Sequence, residues 1–217
     1  MFIGMERARP RDKTKGPAPV SIEHRPERVV GTRIPLLDDE MVGKRGAELD
    51  LEPKRLGLNI WRTLLANPGV MKFIYDMTTG LLHGKQFDGR IRELIIMRVA
   101  WRTHCEYEWG AHWIRSEYLG LSMGEIASVR DLTAAEFDDK EKAVLSAVDS
   151  MIDDGTIDDH TWAKLRGHYP DDSEMIELLA TIANWRMVSS LLRSLQVPLD
   201  EKLPLWPPDG GRIDDLV

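Results

Sequence analysis

The chain has 217 residues, of which 42% are hydrophobic and 30% charged, and its formal net charge is −7. This composition is typical of a folded domain, and the negative charge argues against nucleic acid as the main partner. No stretch approaches the roughly 20 apolar residues that a membrane helix needs. The single cysteine excludes an internal disulfide or a Cys-x-x-Cys redox pair. We therefore expect a cytoplasmic protein with no membrane or nucleic-acid partner.

The two ends of the chain differ in composition from the part between them. Residues 1–35 are rich in Pro and basic residues, and residues 1–33 alone hold eight Lys or Arg against four acidic residues. This pattern predicts an extended basic arm, either solvated or lying on its own or a neighbouring subunit. Residues 204–217 form an irregular tail with several Pro and Gly, which leaves residues 36–203 as the folded domain.

Apolar residues recur at helical spacing through the central part, and no alternating pattern suggests a sheet. Helices are predicted, in chain order, over residues 58–66, 69–84, 88–103, 105–118, 138–152, 160–168 and 173–195. Ser122-x-x-Glu125 and Thr133-x-x-Glu136 both match the capping box that begins a helix, although the second could instead cap a short turn. The predicted fold class is therefore all-α.

Chemically versatile side chains gather at the start of the helix predicted over residues 105–118. At about 100° per residue, Glu108 and His112 lie roughly 60° and 20° from Cys105, so these three side chains share one stripe. A helix N-terminus favours a thiolate at Cys105. Glu108 can hydrogen-bond His112, as a proton-transfer pair requires. Glu93 lies in an otherwise apolar run and either joins this site or pairs with a nearby arginine.

The spacing Glu-x₁₁-Cys-x₂-Glu-x₃-His, from Glu93 to His112, resembles the core of the carboxymuconolactone decarboxylase / alkylhydroperoxidase D (AhpD-like) family. The resemblance extends over residues 50–203 and includes Gly120–Ile126 and Asn184–Met187. It implies an AhpD-like helical fold in a single domain, assembled as homotrimers or homohexamers. The active site would lie near a subunit contact and take a small-molecule substrate. We expect no cofactor and no metal.

The resemblance also implies roles for individual residues. In the alkylhydroperoxidase D branch, two cysteines at the positions of Cys105 and Glu108 form a redox pair, and residues at the positions of Glu93 and His112 relay protons to them. Here Glu108 replaces the second cysteine, so an oxidised Cys105 has no internal resolving partner. The chain therefore falls in a Cys-x-x-Glu-x-x-x-His subgroup, with Glu93, Cys105, Glu108 and His112 as the expected catalytic residues.

Three functions stay open at this point. The first is a lyase or isomerase that uses His112 and its glutamates to transfer protons on a small carboxylated lactone or keto acid. Its predicted substrate contacts are Arg98, Arg102, Tyr107, Trp109 and Arg186, although each arginine could instead form a structural ion pair. The second is a single-cysteine peroxidase with Cys105 as the redox thiol, against which the neighbouring carboxylate of Glu108 weighs. The third is a metal-binding or non-catalytic assembly protein.

Overall fold

The computed structural model describes residues 31–84, 86 and 88–203. In this part of the chain the regular secondary structure is entirely helical, which confirms the predicted all-α class. The helices are α1 (Asp39–Glu48), α2 (Asn59–Leu64), α3 (Pro68–Leu82), α4 (Gly89–Arg102), α5 (Glu106–Tyr118), α6 (Met123–Ser128), α7 (Asp139–Asp153), α8 (Asp159–His168) and α9 (Asp172–Leu195), with a 3₁₀ turn at Pro53–Arg55. The predicted arm falls almost wholly, and the predicted tail wholly, outside the described residues.

Short polar side chains begin most of these helices by accepting hydrogen bonds from first-turn N–H groups. The capping residues are Asp38, Asn67, Asp88, Ser122, Asp138, Asp158 and Asp171. The predicted capping box of Ser122 and Glu125 is confirmed. The box that begins α7 is formed by Asp138 and Glu141. Thr133 begins no helix, because its N–H and hydroxyl groups both donate to Asp131.

The sequence analysis did not identify α1 as a helix. Of its ten residues, only Val42 and Gly46 are buried, so the apolar period that reveals a helix is nearly absent. The helix is instead supported at its ends, where Asp38 caps the first turn and Arg45 lies in the last turn near the negative end of the helix dipole.

The central helix of the described chain is α4, which packs against α5, α7 and α9. Ten of its 14 residues are buried, including the charged Arg92, Glu93 and Arg98. One apolar cluster joins α4 to α7, α8 and α9, and a second joins it to α5, α6 and α7. A third cluster joins α2 and α3 to the start of α5 and the end of α9. Charges on α4 must therefore find partners inside the protein.

None of the helices in the described part of the chain combines the length and the apolar character needed to cross a membrane.

Candidate active site

A tight turn between α4 and α5 places Cys105 beside the helix that carries Glu108 and His112. The N–H groups of His104 and Cys105 donate to the carbonyls of Trp101 and Ala100, at 3.0 Å and 2.9 Å. His104 has a φ of +52°, the left-handed conformation that closes a Schellman motif. This geometry makes Cys105 the N-cap of α5, one residue before the helix begins.

Glu93 is completely buried on α4, and α5 supplies a partner for each of its carboxylate oxygens. His112 Nδ1 lies 2.7 Å from Oε2, and Arg115 Nε donates to Oε1 at 2.8 Å. Hydrogen bonds that involve an ionised group are shorter and stronger than neutral ones. Glu93 therefore joins the candidate site, and its arginine partner is Arg115 on α5 rather than a neighbour in sequence.

The imidazole of His112 lies between Glu93 and the indole of Trp185 on α9. Trp185 Nε1 donates to His112 Nε2 at 3.2 Å, so a neutral ring carries its proton on Nδ1 and donates it to Glu93. Burial by itself lowers the pKa of His112, but the charge of Glu93 and its hydrogen bond, together with the charge of Glu108, outweigh burial and raise it. The neighbouring carboxylates therefore increase the affinity of the ring for a second proton, although a proton on Nε2 would break the hydrogen bond from Trp185.

Glu108 lies one turn before His112, with Oε2 at 3.5 Å from His112 Nε2. Burial raises the pKa of Glu108 because a carboxylate loses its hydration there. The nearby Glu93 adds to that rise, whereas His112 and Trp185 oppose it. Arg115 balances the charge of Glu93. The groups left to exchange protons are the imidazole of His112 and the carboxyl group of Glu108, and both have raised pKa values.

Cys105 is a buried thiol close to Glu108 and Ser189, with 1% of its surface exposed. Burial and the charge of Glu108 raise the pKa of Cys105 to about 12, although the backbone N–H of Glu108 and the adjacent Ser189 act in the opposite direction. The prediction that the helix N-terminus makes Cys105 a thiolate is therefore wrong. Desolvation outweighs the helix dipole here, and the group is a neutral thiol near pH 7.

Tyr107 and Trp109 point away from this cluster and serve the packing of α5. The Tyr107 hydroxyl donates to Asp200, and it accepts the N–H of Ile60 at 3.3 Å. Trp109 is fully buried and packs between the rings of Trp101 and Trp113, at centroid distances of 5.5 Å and 5.8 Å. The structure brings neither of these two predicted substrate contacts to the imidazole.

The predicted substrate arginines bind α7 rather than the candidate site. Arg98 forms a two-bond pair with Asp149, at 2.6 Å and 2.9 Å, and Arg102 bridges Asp149 and Asp153. Arg186 donates to the carbonyl of Met151 at 2.6 Å. These contacts correspond to the structural alternative, because the three guanidinium groups hold α4 and α9 against α7.

Three members of the cluster were not identified as site residues from sequence. Arg115 lies three residues after His112, on the same helical face, and that spacing could have revealed it. Trp185 and Ser189 lie one turn apart on α9, and Trp185 is 73 positions from His112 along the chain. No local pattern predicts such a contact, because it depends on how α9 packs against α5.

The side chains of Glu93, Cys105, Glu108 and His112 are almost completely shielded from solvent. A surface concavity of about 590 Å³ lies elsewhere and is lined by Arg55, Tyr75, Asp76, Thr79, Gly80 and His83, mostly from α3. Among the described residues, no three His, Cys, Asp or Glu side chains are arranged to hold a metal ion, so the metal alternative gains no support. The site is therefore defined by its buried proton-binding groups rather than by an open pocket.

Residues 68–150 match the sequence profile of the carboxymuconolactone decarboxylase family. The matched segment contains α3, α4, α5, α6 and most of α7, and hence Glu93, Cys105, Glu108 and His112. Over this segment the chain is similar to the carboxymuconolactone decarboxylase family. Comparison with curated protein sequences finds no match.

Solved structures resemble the whole helical domain. A peroxidase-related protein from Silicibacter sp. TM1040 has a TM-score of 0.68 at 16% identity, covering 79% of this chain and 93% of that one. The AhpD core of a peroxidase-related protein from Ralstonia eutropha JMP134 has a TM-score of 0.66, with the same identity and coverage. A variant of the debrominase Bmp8 in complex with 2,3,4-tribromopyrrole has a TM-score of 0.65 at 15% identity, covering 79% and 94%. At such low identities these likenesses establish an AhpD-like fold.

Proposed function

We propose that the protein is a general acid–base lyase or isomerase acting on a small carboxylated lactone or keto acid. The observation that carries this proposal is the position of His112 between two buried carboxyl groups, Glu93 at 2.7 Å and Glu108 at 3.5 Å. A group that transfers a proton to carbon needs a pKa near the working pH, and burial together with neighbouring charges supplies such tuning. The family name of the matched profile, carboxymuconolactone decarboxylase, is consistent with this chemistry.

The two carboxyl groups would have different tasks. Glu93 is bonded on both oxygens and holds the His112 ring in one orientation, as a positioning residue. Glu108 and His112 both have raised pKa values, so together they keep a proton that either can release. Because their pKa values interact, the pair and not either residue alone is the acid.

The proposed decarboxylation proceeds in two balanced steps. The carbon–carbon bond to the substrate carboxylate breaks, carbon dioxide leaves, and the bonding electrons remain on the substrate as an enolate or dienolate. The pair of His112 and Glu108 then donates one proton to that carbon and later regains one from solvent. In an isomerisation the same pair would first remove a proton from carbon and then return it at another position.

The second candidate function is a single-cysteine peroxidase. Its support is the fold shared with two proteins named as peroxidase-related, and the presence of Cys105 beside the proton-binding groups. In such an enzyme the thiolate would attack the hydroperoxide, break its O–O bond and release the alcohol, and an external thiol would then reduce the resulting sulfenic acid. The raised pKa of Cys105 opposes this role, because the neutral thiol is a poor nucleophile.

A substrate panel with two variants separates these functions. Carboxylated lactones, β-keto acids and organic hydroperoxides would be tested with the wild type, Cys105→Ser and His112→Ala. The proposal expects turnover of a lactone or keto acid that survives Cys105→Ser and falls about 100- to 10,000-fold in His112→Ala. Hydroperoxide consumption that disappears in Cys105→Ser, with a trapped sulfenic acid in the wild type, would instead support the peroxidase and contradict the proposal.

A further inference from the structure

Arg115 joins the buried cluster to the surface. Its Nε donates to Glu93 Oε1 at 2.8 Å, and Nη2 lies 3.5 Å from the carbonyl of Leu82, at the outer limit for a hydrogen bond. Within the described residues, Nη1 has no hydrogen-bond partner. The Arg115 side chain is 33% exposed, whereas that of Glu93 is 0% exposed. One edge of the guanidinium is therefore bound inside, and the other edge is available at the surface.

Arg115 differs in this respect from Arg98, a buried arginine on α4. The guanidinium of Arg98 is nearly buried, and its three nitrogens all donate, to Asp149 and to the carbonyl of Val129. Arg115 has one of three nitrogens firmly engaged. A planar guanidinium with free donors is suited to bind a carboxylate through two parallel hydrogen bonds.

We propose that the outer edge of Arg115 binds a carboxylate of the substrate and makes the enzyme selective for anions over their neutral esters. This inference rests on the proposed function. In a decarboxylation, the bound group would be a carboxylate that the product retains, because an ion pair with the departing carboxylate would stabilise the ground state. Glu93 links the anchor to the acid, with Arg115 on one oxygen and His112 on the other.

A purely structural role makes a different prediction. If Arg115 serves only to neutralise Glu93, its replacement would weaken all ligands alike through misplacement of His112. If it binds a substrate carboxylate, its replacement would weaken acids and leave the matching esters nearly unchanged. The ratio of acid to ester affinity therefore separates anchoring from positioning.

The test uses γ-butyrolactone-γ-carboxylate and its methyl ester as calorimetric probes of the full chain. The wild type should bind the acid more tightly than the ester. Arg115→Gln should weaken acid binding about 10- to 100-fold, the range for losing hydrogen bonds to a charged group, with less than about a threefold change for the ester. Arg166→Gln is the matched control, since Arg166 is similarly exposed and pairs with Asp172 at 2.9 Å.

Arg115→Lys is a second variant that keeps the test possible if Arg115→Gln does not fold. Lysine keeps a positive charge beside Glu93, but one ammonium group cannot reproduce the two-sided guanidinium, so acid binding should still weaken about tenfold. An acid-to-ester ratio that is near one in the wild type, or unchanged in both variants, would overturn the inference. A different result would contradict the proposed function alone. In that result, the ratio of acid to ester affinity depends on Arg115, but no lactone or keto acid is turned over in a His112-dependent manner.

Discussion

Glu93 and Glu108 have the same side chain but different environments, and this difference organises the site. Glu93 has a basic partner on each oxygen, His112 on one and Arg115 on the other. Glu108 has His112 as its nearby cation, and burial raises its pKa. One carboxylate therefore orients the imidazole, and the other is available to exchange a proton with it.

Glu108→Gln should make protein stability less dependent on pH. The folded-state pKa of Glu108 lies above its unfolded value, so the folded chain binds more protons and the free energy of unfolding falls as the pH rises. The raised pKa of His112 acts with the same sign, above the unfolded histidine value, and it too depends on Glu108. Urea unfolding at pH 5 and pH 8 should therefore show a smaller loss of stability in Glu108→Gln than in the wild type.

The matched control for that measurement is Glu117→Gln, which changes an exposed glutamate on the same helix. It should change the free energy of unfolding equally at both pH values. A pH dependence in Glu108→Gln as steep as that of the wild type would show that Glu108 does not hold a proton more tightly in the folded state.

Cys105 should react as a protected neutral thiol. With its pKa raised to about 12 and 1% of its surface exposed, alkylation by iodoacetamide at pH 8 should be at least about 100-fold slower than in the urea-unfolded chain. The rate in the folded protein should still rise with pH above pH 10. A rate that reaches its plateau below pH 8 would instead reveal a stabilised thiolate and favour the peroxidase.

At the scale of the helices, the sequence predicts the boundaries of most helices closely but misses one helix, α1. The ends of α4 lie within one residue of the prediction, because Asp88 caps the first turn and the left-handed His104 closes the last. The weakly apolar α1 could not be found by periodicity. Of the two alternatives for the Thr133 motif, the structure has the turn rather than the helix start, because the residue that precedes the first turn of α7 is Asp138.

Two alanine substitutions test this assignment of the cap. Asp138→Ala should lower the free energy of unfolding by about 1 kcal/mol, because it removes the capping side chain of α7. Thr133→Ala, at the alternative motif, should cost less, since Thr133 is bonded only within an exposed turn. Thermal or urea unfolding measures both, and an equal or larger loss in Thr133→Ala would contradict the assignment.

At the scale of the whole molecule, the site exists because α4, α5 and α9 pack together. The sequence correctly indicates the local part, since Cys105, Glu108 and His112 follow from helical spacing. The contacts of His112 with Glu93 and Trp185, 19 and 73 positions away, require the tertiary fold. The same packing commits Arg98 and Arg102 to α7, which their charge alone could not reveal. The predicted homotrimer or homohexamer and the basic arm stay predictions.

Incorporation of solvent deuterium tests most directly whether this buried pair performs proton transfer to carbon. A carboxylated lactone or keto acid found in the substrate panel would be converted in D₂O, and the deuterium bonded to product carbon would be followed by NMR. The wild type and Cys105→Ser should both incorporate one deuterium at similar rates, and His112→Asn should be slowed at least about 100-fold. Deuterium transfer that continues in His112→Asn but is lost in Cys105→Ser would contradict the assignment of the acid to His112 and Glu108.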